Sequence, residues 1–197
     1  MRIIAGTAKG HTINAPRGMR TRPTQDQVRE AVFNVVTAWG LEDARVLDVY
    51  AGTGAMAIEA LSRGAATAVA IDRATARCIL QNAVHCRVQD RLTVLPLSAQ
   101  AGLQRLAVTD ALPFDYVFMD PPYGKGLILP VLEQLTVYSL LRPNAYVAVE
   151  HADTEQVAWP TAFDVVKEKR YRHTCMTYLQ YTAGENVDAD SSLFREF

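Results

Sequence analysis

The chain has 197 residues, 49% hydrophobic and 21% charged, with a formal net charge of −1. That is ordinary globular composition for one domain with at most a small appendage, and a chain of this length can bury a full core without staples. Three cysteines, Cys78, Cys86 and Cys175, are odd in number and form no CxxC pair, which argues against a disulfide framework or zinc site and for a reducing compartment.

The opening residues MRIIAGTAKG lack the apolar stretch of a signal peptide, and no run of the chain is apolar enough to cross a bilayer, so a cytoplasmic protein is expected. RIIAGTAKGHTINAP breaks short apolar pieces with Gly6, Gly10 and Pro16, and reads as a small hairpin leading into the loop RGMRTRPT. This head carries Arg2, Lys9, Arg17, Arg20 and Arg22 and no acid before residue 25. It is either a solvated surface or a polyanion-binding one. Thr24 and Gln27 have capping-box spacing and predict a helix start. Val28, Ala31, Val32, Val35, Val36 and Trp39 continue it as one apolar stripe, and Gly40 stops it.

From Arg45 the pattern alternates. RVLDVY, TAVAID, LTVLPL, FDYVFMD and AYVAVE read as strands. AMAIEALSRG, ATARCILQNAVHC, AGLQRLA and LPVLEQLTVYSLL read as the helices between them. Such alternation means a parallel sheet covered on both faces, an α/β Rossmann-like fold. AFDVVKEKRYRH and TCMTYLQYT then read as an antiparallel hairpin closing one edge. The expected division is a basic extension over 1–24, a core domain over 25–182 and an acidic, flexible tail over 183–197, with Glu185, Asp188, Asp190 and Glu196 against Arg195.

Two segments carry chemistry. In LDVYAGTGAMAIEAL a strand ends at Asp48, and Ala51-Gly52-Thr53-Gly54 turns into a helix. Glycines suit a sharp turn whose backbone approaches a ligand. Asp72 ends the next strand, where a carboxylate can accept both ribose hydroxyls of an adenosine ligand. Asp48 can meet a ligand ammonium, or simply brace the loop. In the second segment, FDYVFMDPPYGKG, a hydrophobic strand runs into Asp120-Pro121-Pro122-Tyr123. The prolines fix φ and remove two donors, leaving a stiff rim with a carboxylate, free carbonyls and an aromatic ring. Asp120 and the Pro121 carbonyl can accept from an amino group on a flat base, and Tyr123 can stack on that base.

Together these motifs resemble the amino-methyltransferases of the class I S-adenosylmethionine-dependent family. RIIAG, the KG at 9–10, TRPT at 21–24, VREAVFN at 28–34, LDVYAGTGAMAIEALSRGA and DPPYGKG resemble the bacterial 16S rRNA guanine-N2 methyltransferases, from about Arg2 to Tyr181. The resemblance implies a seven-stranded, mostly parallel sheet with a reversed last strand and S-adenosylmethionine as methyl donor. It implies 16S ribosomal RNA as partner, in an assembling small-subunit particle, and a monomer without metal. The implied cofactor residues are Asp48, Ala51, Gly52, Gly54, Asp72, Arg73, Ser98 and Ala99. The implied catalytic residues are Asp120, Pro121, Pro122 and Tyr123, with Arg2, Lys9, Arg17, Arg20, Arg22 and Lys125 on the RNA. The chain departs from the family at Ser98, where a carboxylate or amide is usual, and at Arg172-His173-Thr174, where a glycine turn is usual.

Other readings have less support. His11, His85, His151 and His173 have no ligand spacing, so no metal is expected. His151, beside Glu150 at a strand end, reads as structural. A DNA adenine-N6 methyltransferase also uses DPPY but normally needs more sequence to read base edges. A non-catalytic RNA-binding assembly factor would not need the intact DPPY and glycine turn. A small-molecule methyltransferase would not need the basic head.

Overall fold

Apolar, β-branched runs form strands buried on both faces, and amphipathic runs between them form the covering helices. The computed structural model describes residues 1–16, 23–109 and 111–182. The elements are α1 (Pro23–Ala38), β1 (Arg45–Val49), α2 (Ala55–Ser62), β2 (Thr67–Ile71), α3 (Ala76–His85), β3 (Leu92–Leu95), α4 (Ala99–Val108), β4 (Phe114–Met119), α5 (Ile128–Val137), β5 (Leu141–Ala152), β6 (Phe163–Tyr171) and β7 (Thr174–Tyr181).

The seven strands form one sheet in the order β3-β2-β1-β4-β5-β7-β6. Neighbours from β3 through β5 pair in parallel, and β7 runs antiparallel to both β5 and β6. This is the expected sheet with a reversed last strand. Alternate strand residues feed two cores. Val46, Tyr116, Phe118 and Ala148 pack under α1, α2 and α3, while Leu47, Val49, Val117, Met119 and Val147 pack under α4 and α5. Burial on both faces is why these strands read as continuous apolar runs.

Some boundaries differ from the sequence reading. Helix α1 begins at Pro23, one residue before the expected start, because a proline at the first helical position gives up only an N–H that has no helical partner. Helix α5 ends at Val137 and not at Leu141. Ser139 turns the chain at φ 52, and Leu141 pairs with Phe114 as the first residue of β5. An unbroken apolar run cannot by itself separate a helix end from a buried strand start. The side chain of Thr24, the TRPT loop through residue 22 and the tail 183–197 lie outside the described residues.

The N-terminal segment forms a single antiparallel bridge, Arg2 to Thr12, flanked by hydrogen bonds from Ile3 N to His11 O at 3.0 Å and from Ile13 N to Met1 O at 3.0 Å. Ile3, Ala8 and Ile13 are buried in the core under α1, α2 and α3. Polar stitches fix the segment there. The fully buried Glu59 of α2 accepts from Ile4 N at 2.8 Å and Ala5 N at 3.0 Å, and pairs with Arg63 at 2.7 Å. Asn82 of α3 accepts from Asn14 N at 3.0 Å and donates to the Asn14 carbonyl at 3.0 Å and the Thr53 carbonyl at 2.9 Å. One buried amide thus ties the head of the chain to the glycine turn, and its bond to the Thr53 carbonyl is fully buried.

Candidate active site

In the strand order, the chain's direction of progression reverses between β1 and β4, and open α/β sheets bind ligands at such a point beyond the strands' carboxyl ends. A cavity of about 760 Å³ lies there, lined by Asp48, Asp72, Asp120 and Glu150 from the ends of β1, β2, β4 and β5. Helix α1 adds Val28, Arg29 and Val32, and the N-terminal Met1 reaches the same wall.

The glycine turn forms the cavity's floor. Tyr50, Gly52 and Gly54 all take positive φ, at 65, 54 and 76. Tyr50 is not a glycine, so its backbone is strained, and the surrounding bonds hold it: Ala51 N donates to Ile71 O at 3.1 Å, and Gly54 N to Ala51 O at 2.7 Å. Ala51 and Gly52 line the cavity, whereas Gly54 does not. A Cβ on Gly54 would stand 2.7 Å from Ile79 Cγ2, so this glycine lets α2 pack closely on α3.

Asp48 is buried, and its Oδ2 accepts from Ala57 N at 3.1 Å, doing the work of a helix cap that Gly54 lacks a side chain to do. Burial, with some added repulsion from Asp72, pushes its carboxyl up to about 7 against the opposing Ala57 bond. Bracing and lining the cavity are therefore both properties of Asp48. Asp72 accepts from Gly52 N at 3.0 Å through Oδ2, and from Ala74 N at 2.8 Å and Thr75 N at 3.0 Å through Oδ1. Its carboxylate is fixed in the wall before any ligand arrives.

The DPPY loop follows β4. Pro121 is buried, while Asp120, Pro122 and Tyr123 are open to the cavity mouth. The cavity walls thin the hydration of Asp120, and the charges of Glu150 and Asp48 add to this, so its carboxyl titrates well above the ordinary range. Glu150 is raised as well, first by burial, with the Tyr123 bond and His151 opposing. The Tyr123 hydroxyl donates to Glu150 Oε1 at 2.7 Å and lies 3.3 Å from Thr174 Oγ1. Tyr123 as a whole is 41% exposed, at the cavity mouth where an aromatic side chain can meet a flat ligand.

The remaining expected residues are placed less centrally. Ser98 caps α4 by accepting from Ala101 N at 3.3 Å, and Ala99 is buried beneath that helix. Neither they nor the exposed Arg73 line the cavity. Arg2, Lys9 and Lys125 are exposed, and Arg17, Arg20 and Arg22 lie outside the described residues. His151 points into the protein, with Nε2 at 2.9 Å from Thr177 Oγ1 and its ring against Trp159, a structural role as expected. Sequence reading missed Glu150, Arg29, Thr174 and the Tyr171-Arg172-His173 turn as cavity residues. Only the position of Glu150 at a strand's carboxyl end hinted at its place, because the others are brought in by α1 and the β6–β7 hairpin from far along the chain.

This sheet order, the glycine turn after β1 and the acidic rim define the class I methyltransferase fold. The chain belongs to the family described as "Conserved hypothetical protein 95", which it matches over residues 1–180. It is 31% identical over 172 residues to a Bacillus subtilis protein named "Putative rRNA methyltransferase YlbH", covering 86% of this chain and 92% of that one. It is 30% identical to the "Ribosomal RNA small subunit methyltransferase D" of Escherichia coli, over 96% of this chain and 94% of that one. The solved Escherichia coli structure described as "Putative methyltransferase yhhF" superposes with a TM-score of 0.80 at 32% identity, covering 93% of this chain and 98% of that one. No helix among the described residues is long and apolar enough to cross a membrane.

Proposed function

We propose that this protein transfers the methyl group of S-adenosylmethionine to the exocyclic N2 of a guanine in small-subunit (16S) ribosomal RNA, acting as a monomer on an assembling particle. The observation that carries the reading is the pair of carboxylates, Asp120 and Glu150, on one rim with Tyr123 bonded between cavity and sheet. The Watson–Crick edge of guanine presents only N–H donors beside its carbonyl, at N1 and N2, and two acceptors suit it. Adenine presents an acceptor at N1, which an ionised second carboxylate repels. The named relatives, nearly all of whose length the chain covers, support ribosomal RNA as the substrate.

The cavity suits the donor. Its carboxylates attract a ligand carrying ammonium and sulfonium charges, Asp72 can accept ribose hydroxyls through lone pairs its backbone bonds leave free, and Ala51 and Gly52 allow a close approach. When bound, the donor supplies an electrophilic methyl carbon whose bond to sulfur breaks as the bond to nitrogen forms. Asp120 holds the amino group in line and accepts the proton that nitrogen sheds once methylated. A carboxylate titrating above its ordinary range is a competent acceptor near neutral pH. Tyr123 stacks on the base and fixes its plane. The basic residues Arg2, Lys9 and Lys125, with Arg17, Arg20 and Arg22, hold the RNA backbone.

Methyl transfer from labelled S-adenosylmethionine to 16S transcripts and assembled particles, followed by nucleoside mass spectrometry, tests this. N2-methylguanosine formed by the wild type and not by Asp120→Ala is the expected result. N6-methyladenosine in DNA, or donor binding with no product on any RNA, would overturn it.

A further inference from the structure

The cations of the edge strand β6 have no role in the site described so far. Lys167, Glu168, Lys169 and Arg170 are all exposed, and β6 is the outermost strand beside β7. The pairing register shifts between Val165 and Lys167, so Val166 is a bulge. A bulge re-aims every side chain that follows it. Before it, Val165 pairs with Leu179, which is buried under α4 and α5. After it, Lys167 pairs with Tyr178, Lys169 with Met176 and Tyr171 with Thr174. Tyr178 and Met176 belong to the opposite core, and Met176 and Thr174 line the cavity. Lys167, Lys169 and Tyr171 therefore project on the face where the cavity opens. Glu168 and Arg170 go to the other face and pair there at 3.2 Å. Unbroken alternation would do the reverse, sending both lysines away and turning Glu168 toward the cavity.

The strip continues to the mouth. Lys169 Nζ lies 5.1 Å from the centre of the Tyr171 ring, and Tyr171, Arg172 and His173 line the cavity. Arg172 adopts a left-handed backbone, φ 46, at the tip of the β6–β7 turn. Among the described residues no ion pair involves Lys167, Lys169 or Arg172.

We propose that Lys167, Lys169, Tyr171 and Arg172 form a second RNA-binding surface, which holds the phosphate backbone of the strand whose base enters the cavity. The inference rests on the RNA-methylating reading above. Four carboxylates in the cavity repel phosphate, so the backbone has to be held outside while the uncharged base goes in. The bulged edge supplies cations on the correct face, beginning at the mouth and leading outward, with an aromatic ring at the near end for an unstacked neighbouring base. Lysines on an open edge also prevent pairing with another chain, but that duty is served equally by either face, whereas the bulge selects one.

The test uses the full chain and an unmodified 16S rRNA transcript, with affinity measured over a series of salt concentrations. Lys167→Gln/Lys169→Gln should bind the transcript about tenfold more weakly, and its slope of log affinity against log salt should fall by about one to two units. Its melting temperature and S-adenosylmethionine affinity should match the wild type, and Lys167→Arg/Lys169→Arg should bind RNA normally. An unchanged slope and affinity in the Gln variant, or aggregation of that variant with RNA affinity intact, would overturn the inference while leaving the methylation reading standing. A wild-type protein with no salt-dependent affinity for the transcript would overturn both.

Discussion

The Tyr123 hydroxyl donates to Glu150 Oε1 at 2.7 Å, which ties the rim loop after β4 to the end of β5. The ring that would stack on a base is thus held by a carboxylate of the neighbouring strand. Tyr123→Phe keeps the stacking face and loses the tie, and should lower turnover several-fold. Tyr123→Ala loses both, and should weaken RNA substrate binding by about 1–3 kcal/mol. Equal effects of the two substitutions on steady-state kinetics would contradict a role for the ring.

Glu150→Gln should lower transfer to guanine by about tenfold or more, because an amide no longer offers two ionic acceptors to the rim. It should also relieve the repulsion that helps to raise Asp120. The acid limb of the kcat/KM profile should therefore move to lower pH. A profile that stays in place, with full activity, would remove Glu150 from base recognition.

Asp120→Ala is expected to abolish methyl transfer while leaving S-adenosylmethionine affinity within a few-fold of wild type, since the loss falls on the amino group and not on the donor. Calorimetry and single-turnover transfer measure the two separately. Loss of donor binding in parallel with activity would mean that this carboxylate serves the cofactor.

The carboxyl of Asp48 titrates at about 7 in the folded protein, against 3.8 for a free one. Between those values the folded chain keeps a proton that the unfolded chain has released. The contribution of Asp48 to stability is accordingly greatest at acid pH and is lost as pH rises through that window. Asp48→Asn stays neutral and can still accept from Ala57 N, so its melting temperature should vary less from pH 4 to pH 7. A cationic ligand reverses the preference by favouring the ionised carboxylate, so S-adenosylmethionine affinity should rise with pH toward and past about 7. An Asp48→Asn protein with the wild-type slope in both measurements would refute this.

Gly6 carries φ +78, and a Cβ there would stand 1.7 Å from the Ser62 carbonyl oxygen. That is backbone, which cannot move aside as a side chain can. Gly6→Ala should cost roughly 2–4 kcal/mol in denaturant unfolding, or release the N-terminal segment from α2. Hydrogen exchange at Ile4, Ala5 and Ala8 would report that release, and unchanged protection with unchanged stability would count against the packing described.

The sequence by itself determined the architecture and half of the site. Short apolar runs alternating with helical patterns from Arg45 onward specified the strands and helices, because local propensity and burial on both faces agree there. Asp48, Gly52, Asp72 and the DPPY loop were legible for a related reason: each sits at a strand's carboxyl end, so its place follows from the strand before it. Contacts between distant segments were not legible. Whether Leu141 ends a helix or starts a strand depended on pairing with Phe114, and the role of Gly54 depended on Ile79. The folded chain alone set Glu150 beside Tyr123, used Asn82 to hold both Asn14 and Thr53, and turned the lysines of β6 toward the cavity through a bulge. Those relations join residues 27 to 68 positions apart, or hang on a one-residue register shift. Pattern along the chain does not encode them, because they arise only when separate elements are packed against one another.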